Sequence, residues 1–180
     1  PLRAEAKDAI RALHACGISK VVMMTGDNRR TAASVAEEVG VDEFYAEVLP
    51  EDKAAFIRRE KAAGRTVIMI GDGVNDSPAL SEADAGVAIS TGAAIAREIA
   101  DITIASEDLF ELVTLRRISE ALMGRIHRNY RFIVGFNLGL IVFGVAGLLP
   151  PTTSALLHNA STLAISLKSM TNLLPDKKKL

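Results

Sequence analysis

The chain has 180 residues, 21 Lys+Arg against 22 Asp+Glu, and a net charge of -1. That balance excludes a strongly basic nucleic-acid binder and an acidic tail protein, and one cysteine, Cys16, excludes a disulfide framework or a Cys-only zinc site. Mean hydropathy is +0.23 although 24% of the residues are charged, so the two classes are segregated. Pro1 to Arg131 reads as soluble and the chain from Phe132 onward as membrane. No secretory signal opens the chain, and the missing initiator Met suggests a fragment.

In chain order, Glu5–Ala15 places Ala6, Ala9, Ile10 and Leu13 on one helical face and stops at Cys16-Gly17. Val21–Met24 is a short apolar run, expected as a strand buried on both faces. Thr25–Asn28 is a loop, Arg29–Val39 a helix closed by Gly40, and Glu43–Ala46 a short strand. Pro50–Ala63 is a helix with Pro at its start and Gly64 at its end. Thr66–Ile70 is the next buried strand, followed by the turn-rich Gly71–Pro78. Ala85–Ile89 and Asp101–Ile104 are strand candidates flanking a short helix near Ala93–Glu98, and Glu107–Asn129 is a long amphipathic helix. Alternating strands and helices predict an α/β domain with a parallel sheet, whose ligands gather at the C-terminal strand ends.

Phe132–Leu149 then offers 18 residues with one strongly polar side chain, Asn137. As a helix it would be about 27 Å long, close to a bilayer core. Pro150-Pro151 breaks it, and Ser154–Leu174 is long enough to return beside a partner span despite its polar residues. Arg116, Arg117, Arg125, Arg128 and Arg131 precede this hairpin and Lys177–Lys179 follow it, which puts both ends in the cytoplasm. Counted from Pro150-Pro151, His158 lies about 9 Å nearer the outside than Asn137. Ser161 or Thr162 is therefore the expected partner of Asn137 at one depth, with His158 as an exit ligand or an interfacial residue.

Two polar loops carry chemistry. Gly71-Asp72-Gly73-Val74-Asn75-Asp76 follows a strand and opens a helix. Asp72 and Asp76, four residues apart at a strand tip, suit Mg²⁺, and the glycines let backbone approach a phosphate. Thr25-Gly26-Asp27-Asn28 repeats the strand–loop–helix arrangement, with a hydroxyl and amides that can hold a phosphoryl group; the alternative is that Asp27 or Asn28 is only an N-cap. Lys53 sits in the first turn of its helix, against the dipole, as a group aimed at an anion or as a solvated surface Lys.

Thr25–Asn28, Pro50–Lys53 and Gly71–Leu80 (GDGVNDSPAL), in this order and ahead of a short membrane ending, resemble the C-terminal part of a heavy-metal-translocating (type IB) P-type ATPase. The resemblance implies a partial haloacid-dehalogenase-like phosphorylation domain over 1–106, a linking helix over 107–130, a two-helix transmembrane hairpin over 131–174 and a basic tail over 175–180. It implies that Asp72 ligates catalytic Mg²⁺, that Asn75 and Asp76 organise the site, and that Thr25 and Gly26 contact the phosphoryl group. Asp27 would sit beside that group and Lys53 would neutralise it. The family's Asp-Lys-Thr-Gly-Thr segment is absent, as are its nucleotide-binding and actuator domains and earlier spans. The chain alone is thus expected to be inactive, ATP being bound mainly by a missing domain.

The resemblance further implies partners: the rest of the parent ATPase, membrane lipid and a transported transition-metal ion. It places the parent in the plasma membrane with the phosphorylation domain cytoplasmic, exporting its ion. Asn137, His158, Asn159, Ser161 and Thr162 are the candidates to meet that ion, and their oxygen and imidazole donors suit Zn²⁺, Mn²⁺, Co²⁺ or Fe²⁺ better than Cu⁺. The rival expectations are a membrane-anchored haloacid-dehalogenase-type phosphatase, which needs an Asp-x-Asp nucleophile that is absent, and a non-enzymatic membrane binding module.

Overall fold

The computed structural model describes residues 5–71, 74–89, 98–104 and 108–174. Two compact units divide it, Pro1–Thr114 and Leu115–Leu180.

In the first unit, α1 (Ala6–Ala15) leads to β1 (Val22–Met24), α2 (Arg29–Val39), β2 (Glu43–Tyr45) and α3 (Pro50–Ala62). Then come β3 (Ile68–Gly71), a 3₁₀ turn (Val74–Asp76), α4 (Ser77–Glu82), β4 (Ala85–Ile89) and β5 (Ile102–Ile104). Local chemistry sets these bounds. Asn28 caps α2 by accepting from the Thr31 backbone N–H at 3.0 Å, and Gly40 ends it at φ 77°. Pro50 opens α3, where the Asp52 carboxylate accepts from the Leu49 N–H at 3.2 Å.

All strand pairs are parallel, but they form two sheets, β1-β2 and β3-β4-β5. Among the described residues, β1 and β3 each have a strand neighbour on one side only. This corrects the expectation of strands buried on both faces: β1 is half-buried throughout, and Ile68 and Ile70 of β3 are 47% and 38% exposed. Burial on both faces needs covered faces and paired edges. The core lies at β4 and α4, where Leu80, Val87 and Ala88 are buried and Met69 and Ala100 pack against Leu80 and Ala88.

A carboxylate recurs where the strands begin. Asp42 accepts from the Val21 N–H at 2.6 Å, Asp84 from the Val67 N–H at 2.8 Å, and Asp101 from the Gly86 N–H at 2.8 Å. The Val67 bond, and then Lys61, hold the Asp84 carboxyl below its ordinary range. These acids stand at the sheet ends away from the polar loops, so they serve the fold.

Gly86 marks the tightest packing. A Cβ there would stand 2.7 Å from the Leu80 carbonyl oxygen, a backbone atom of α4 that cannot swing aside. Gly86→Ala is expected to destabilise the unit by about 1–3 kcal/mol, the usual penalty for overpacking. Urea unfolding checks this, with an unchanged midpoint as the contrary result.

The second unit holds the rest of α5 (Phe110–Val145), a single 36-residue helix, and α6 (Pro151–Ser169). The linking helix and the first apolar stretch, expected as separate elements, are thus one. No helix among the described residues is long and apolar enough to cross a membrane, which overturns the transmembrane hairpin expected over 131–174. The count of 18 apolar residues ran too far. After Val145 the chain turns, with Gly147 at φ 72° and the Leu148 N–H donating to the Phe143 carbonyl at 2.9 Å. The helical apolar run from Phe132 to Val145 is about 21 Å long, short of a ~30 Å bilayer core and interrupted by Asn137. In α6, Thr152, Thr153, Ser154, His158, Asn159, Ser161, Thr162, Ser166 and Lys168 leave no apolar span.

The two helices are held in antiparallel register by polar bonds. Arg125 donates to the carbonyls of Ser169 (2.9 Å), Thr171 (2.6 Å) and Asn172 (2.9 Å), at the C-terminal end of α6. Asn129 donates to Ser169 Oγ at 2.9 Å.

Candidate functional site

Both polar loops leave the C-terminal ends of parallel strands. Met24 ends β1 directly before Thr25, and Gly71 ends β3 directly before Asp72. Asp72 and Gly73 lie outside the described residues, as does most of the short helix expected near Ala93–Glu98.

The Thr25 loop is closed on itself and tied to the approach to α3. Thr25 Oγ1 donates to the Asp27 carboxylate at 3.0 Å and accepts from the Asp27 N–H at 3.1 Å. The Val48 N–H donates to the Thr25 carbonyl at 3.0 Å, just before α3 begins. Among the described residues, a Cβ on Gly26 would meet only the Val48 oxygen, at 3.9 Å. Gly26 and Asp27 are exposed, and Asn28 is the α2 cap described above.

α3 carries Lys53 to the second loop. Its ammonium lies 2.7 Å from Asp76 Oδ1, the two side chains being 15% and 12% exposed. The pair spans 23 residues of sequence. Lys53 is thus an interior cation facing an acid of this chain. Asp76 in turn presses on Gly71. A Cβ there would stand 2.7 Å from Asp76 Cβ and 2.9 Å from Asp76 Oδ2, so only glycine fits. Asn75 is exposed.

Ser77, next in sequence to Asp76, was not singled out by the sequence. Its hydroxyl is buried and has no hydrogen-bond partner among the described residues. A buried orphan of this kind costs about 1–3 kcal/mol unless something satisfies it. Only its place in the Gly71–Leu80 segment hinted at a role.

Ion pairs along α3 hold this frame. Arg58 meets Glu82 at 3.1 Å, and Lys61 donates to the Glu82 carbonyl at 2.7 Å. Glu60, a buried acid, takes two bonds from Arg65 at 2.6 and 3.0 Å. The Arg65 guanidinium holds the Glu60 carboxyl below its ordinary range. Tyr45 packs on Phe56 with ring centroids 5.1 Å apart, joining β2 to the same helix.

The remaining candidates lie on the helix pair. His158 Nδ1 is 2.8 Å from Asn137 Oδ1, so these two residues are level. The depth offset expected from the sequence is wrong because the turn takes up Ala146–Pro150. Asn137 is eight residues before the end of α5 and His158 seven after the start of α6. Ser161 Oγ and Thr162 Oγ1 both donate to the His158 carbonyl, at 2.8 and 3.0 Å, and neither is bonded to Asn137. Asn159 lines the same cleft as Asn137 and His158.

A family model described as haloacid dehalogenase-like hydrolase matches residues 1–84. The chain is 41% identical over 165 residues to the manganese-exporting P-type ATPase of Mycobacterium tuberculosis (strain ATCC 25618 / H37Rv), covering 91% of this chain and 23% of that protein. It is 46% identical over 157 residues to copper-transporting ATPase 2 of Rhizobium meliloti (strain 1021), covering 87% and 19%. A crystal structure of a zinc-transporting PIB-type ATPase in the E2.Pi state superposes with a TM-score of 0.89 at 33% identity, over 94% of this chain and 28% of that one. The chain thus spans about a fifth to a quarter of the curated relatives it matches.

Proposed function

We propose that the chain is a segment of a heavy-metal P-type ATPase carrying the haloacid dehalogenase-like domain, and that it supplies the second half of that enzyme's phosphoryl-transfer site. The carrying observation is the interior Lys53–Asp76 pair, 2.7 Å apart, which ties the first turn of α3 to the polar loop after β3. The parent hydrolyses ATP through an aspartyl-phosphate formed on a segment outside this chain. The edges of β1 and β3 that are unpaired among the described residues offer backbone N–H and C=O groups to a strand bearing that segment.

Thr25 and Gly26 bind the phosphoryl oxygens, with Asp27 holding the Thr25 hydroxyl. Lys53 offsets the charge that builds on those oxygens during in-line transfer. Asp76 holds Lys53 in place, and Asn75, at the exposed rim, contacts the phosphorylated segment. The oxygen donors fit Mg²⁺: an Asp76 carboxylate against a glycine that admits close approach, and the unsatisfied Ser77 hydroxyl beside it. Asp72 and Asp76 would hold the ion, and bound Mg²⁺ supplies charge neutralisation at the transferring group.

The parent is an integral membrane pump of the plasma membrane, set in lipid, with this catalytic domain in the cytoplasm. It exports a divalent transition-metal ion, and the candidates to meet that ion here are Asn137, His158, Asn159, Ser161 and Thr162. Their donors are imidazole, amide and hydroxyl, with no sulfur, which favours Zn²⁺, Mn²⁺, Co²⁺ or Fe²⁺ over Cu⁺. ATPase activity of the full-length parent should therefore rise with at least one of those four ions and respond little to Cu⁺ or Ag⁺. Stimulation by Cu⁺ alone would refute the ion class. No stimulation by any of the six would refute the pump.

A further inference from the structure

We infer that Glu47 is a positioning residue for phosphoryl transfer, whose left-handed backbone fixes the Thr25 loop against the segment that leads to Lys53. This rests on the phosphoryl-site reading above and adds what holds two of its parts in register. Among the described residues, Glu47 is the one non-glycine with positive φ, at 56°. A residue with a Cβ disfavours that region and stays there only where the surrounding structure imposes it, often beside a functional site. The Glu47 side chain does not impose it: it is exposed and makes no hydrogen bond or ion pair among the described residues. What holds the conformation is the main chain.

The parallel pairing of β1 with β2 shows how. Met24 faces Tyr45, and the Thr25 N–H extends the ladder by donating to the Tyr45 carbonyl at 3.0 Å. In a regular parallel ladder the Thr25 carbonyl would then accept from the Glu47 N–H. It accepts instead from the Val48 N–H, at 3.0 Å, while the Glu47 N–H reaches on to the Asp27 carbonyl at 2.9 Å. Glu47 is therefore an extra residue in the ladder, like the left-handed first residue of a bulge. The insertion aims two successive N–H groups into one loop and clamps both ends of Thr25–Asp27. The same strip of chain then enters α3 at Pro50, and the first turn of α3 carries Lys53 to Asp76. An extended residue 47 would release the Asp27 carbonyl and shift the start of α3 against the Thr25 loop. The Thr25 hydroxyl and the Lys53 ammonium would then lose their common reference.

The test compares Glu47→Gly, which takes positive φ freely, with Glu47→Val, whose branched side chain resists it. In the full-length parent, Glu47→Val should slow phosphoenzyme formation from ATP by about 10²-fold, the usual effect of misplacing a group by about 1 Å. Glu47→Gly should stay close to wild type, because it loses only the exposed carboxylate and keeps the backbone. Amide hydrogen exchange gives a second readout that does not depend on activity. The amides of residues 47 and 48 should be protected in wild type and in Glu47→Gly, and should exchange faster in Glu47→Val. If Glu47→Val does not fold, Glu47→Ala takes its place and should show both losses to a smaller degree. Unchanged phosphorylation in the folded Val or Ala variant, an equal loss in Glu47→Gly, or unprotected amides in wild type would each overturn the inference. Lys53→Met separates this from the site reading. If Lys53→Met phosphorylates normally, the site reading fails; if it does not while Glu47→Val does, the positioning role alone fails.

Discussion

Lys53→Met is expected to impair both stability and catalysis. Removing the cation leaves Asp76, 12% exposed, without the partner 2.7 Å away. An uncompensated interior charge of that kind typically costs about 3–5 kcal/mol. The same change removes the positive charge proposed to offset the transferring phosphoryl group, so phosphoenzyme formation in the parent should fall by about 10²–10³-fold. The two losses separate in a cycle. Lys53→Met with Asp76→Asn removes both charges, so urea unfolding of the chain should recover most of the lost stability while phosphorylation stays lost. If stability were not recovered, the pair would not be the interaction that matters. If phosphorylation returned, Lys53 would be structural only.

Gly71→Ala should be nearly as damaging to catalysis with a smaller effect on folding. The added methyl would stand 2.7 Å from Asp76 Cβ, an atom bonded directly to the backbone, and 2.9 Å from Asp76 Oδ2, so the whole Asp76 side chain must shift. Displacing a catalytic group by about 1 Å commonly costs about 10²-fold in rate. Phosphoenzyme formation in the parent should drop by that order, while circular dichroism of the chain stays close to wild type and its stability falls by about 1–3 kcal/mol, the usual overpacking penalty. Full activity in Gly71→Ala would show that Asp76 tolerates displacement and does not organise the site.

The sequence made the local grammar plain. Asn28 and Gly40 bound α2 and Pro50 opens α3 because capping and proline geometry act within a few residues. Both polar loops were located because each follows an apolar run and precedes a helix. Pairing at a distance was not legible. Lys53 and Asp76 meet across 23 residues, and nothing in either segment names the other. The division into two sheets was hidden too, since an apolar run looks the same whether or not both its edges are paired. The helix pair went astray on one turn. Ala146–Leu149 continue the apolar composition of α5, so composition alone extended the helix, while the positive φ of Gly147 ends it. That misplacement produced both the expected span and the wrong depth for His158. The Asp42, Asp84 and Asp101 clamps escaped notice because an acid before a strand reads as an ordinary turn residue.

The most direct test of the central claim is phosphorylation of the full-length parent by labelled ATP. Wild type should form an acyl phosphate that hydroxylamine releases, and Asp72→Asn should form none while keeping its fold, because the change removes the charge of the proposed Mg²⁺ ligand and preserves its shape. Near-normal phosphoenzyme in Asp72→Asn at ordinary Mg²⁺ would contradict the assignment of these loops to phosphoryl transfer.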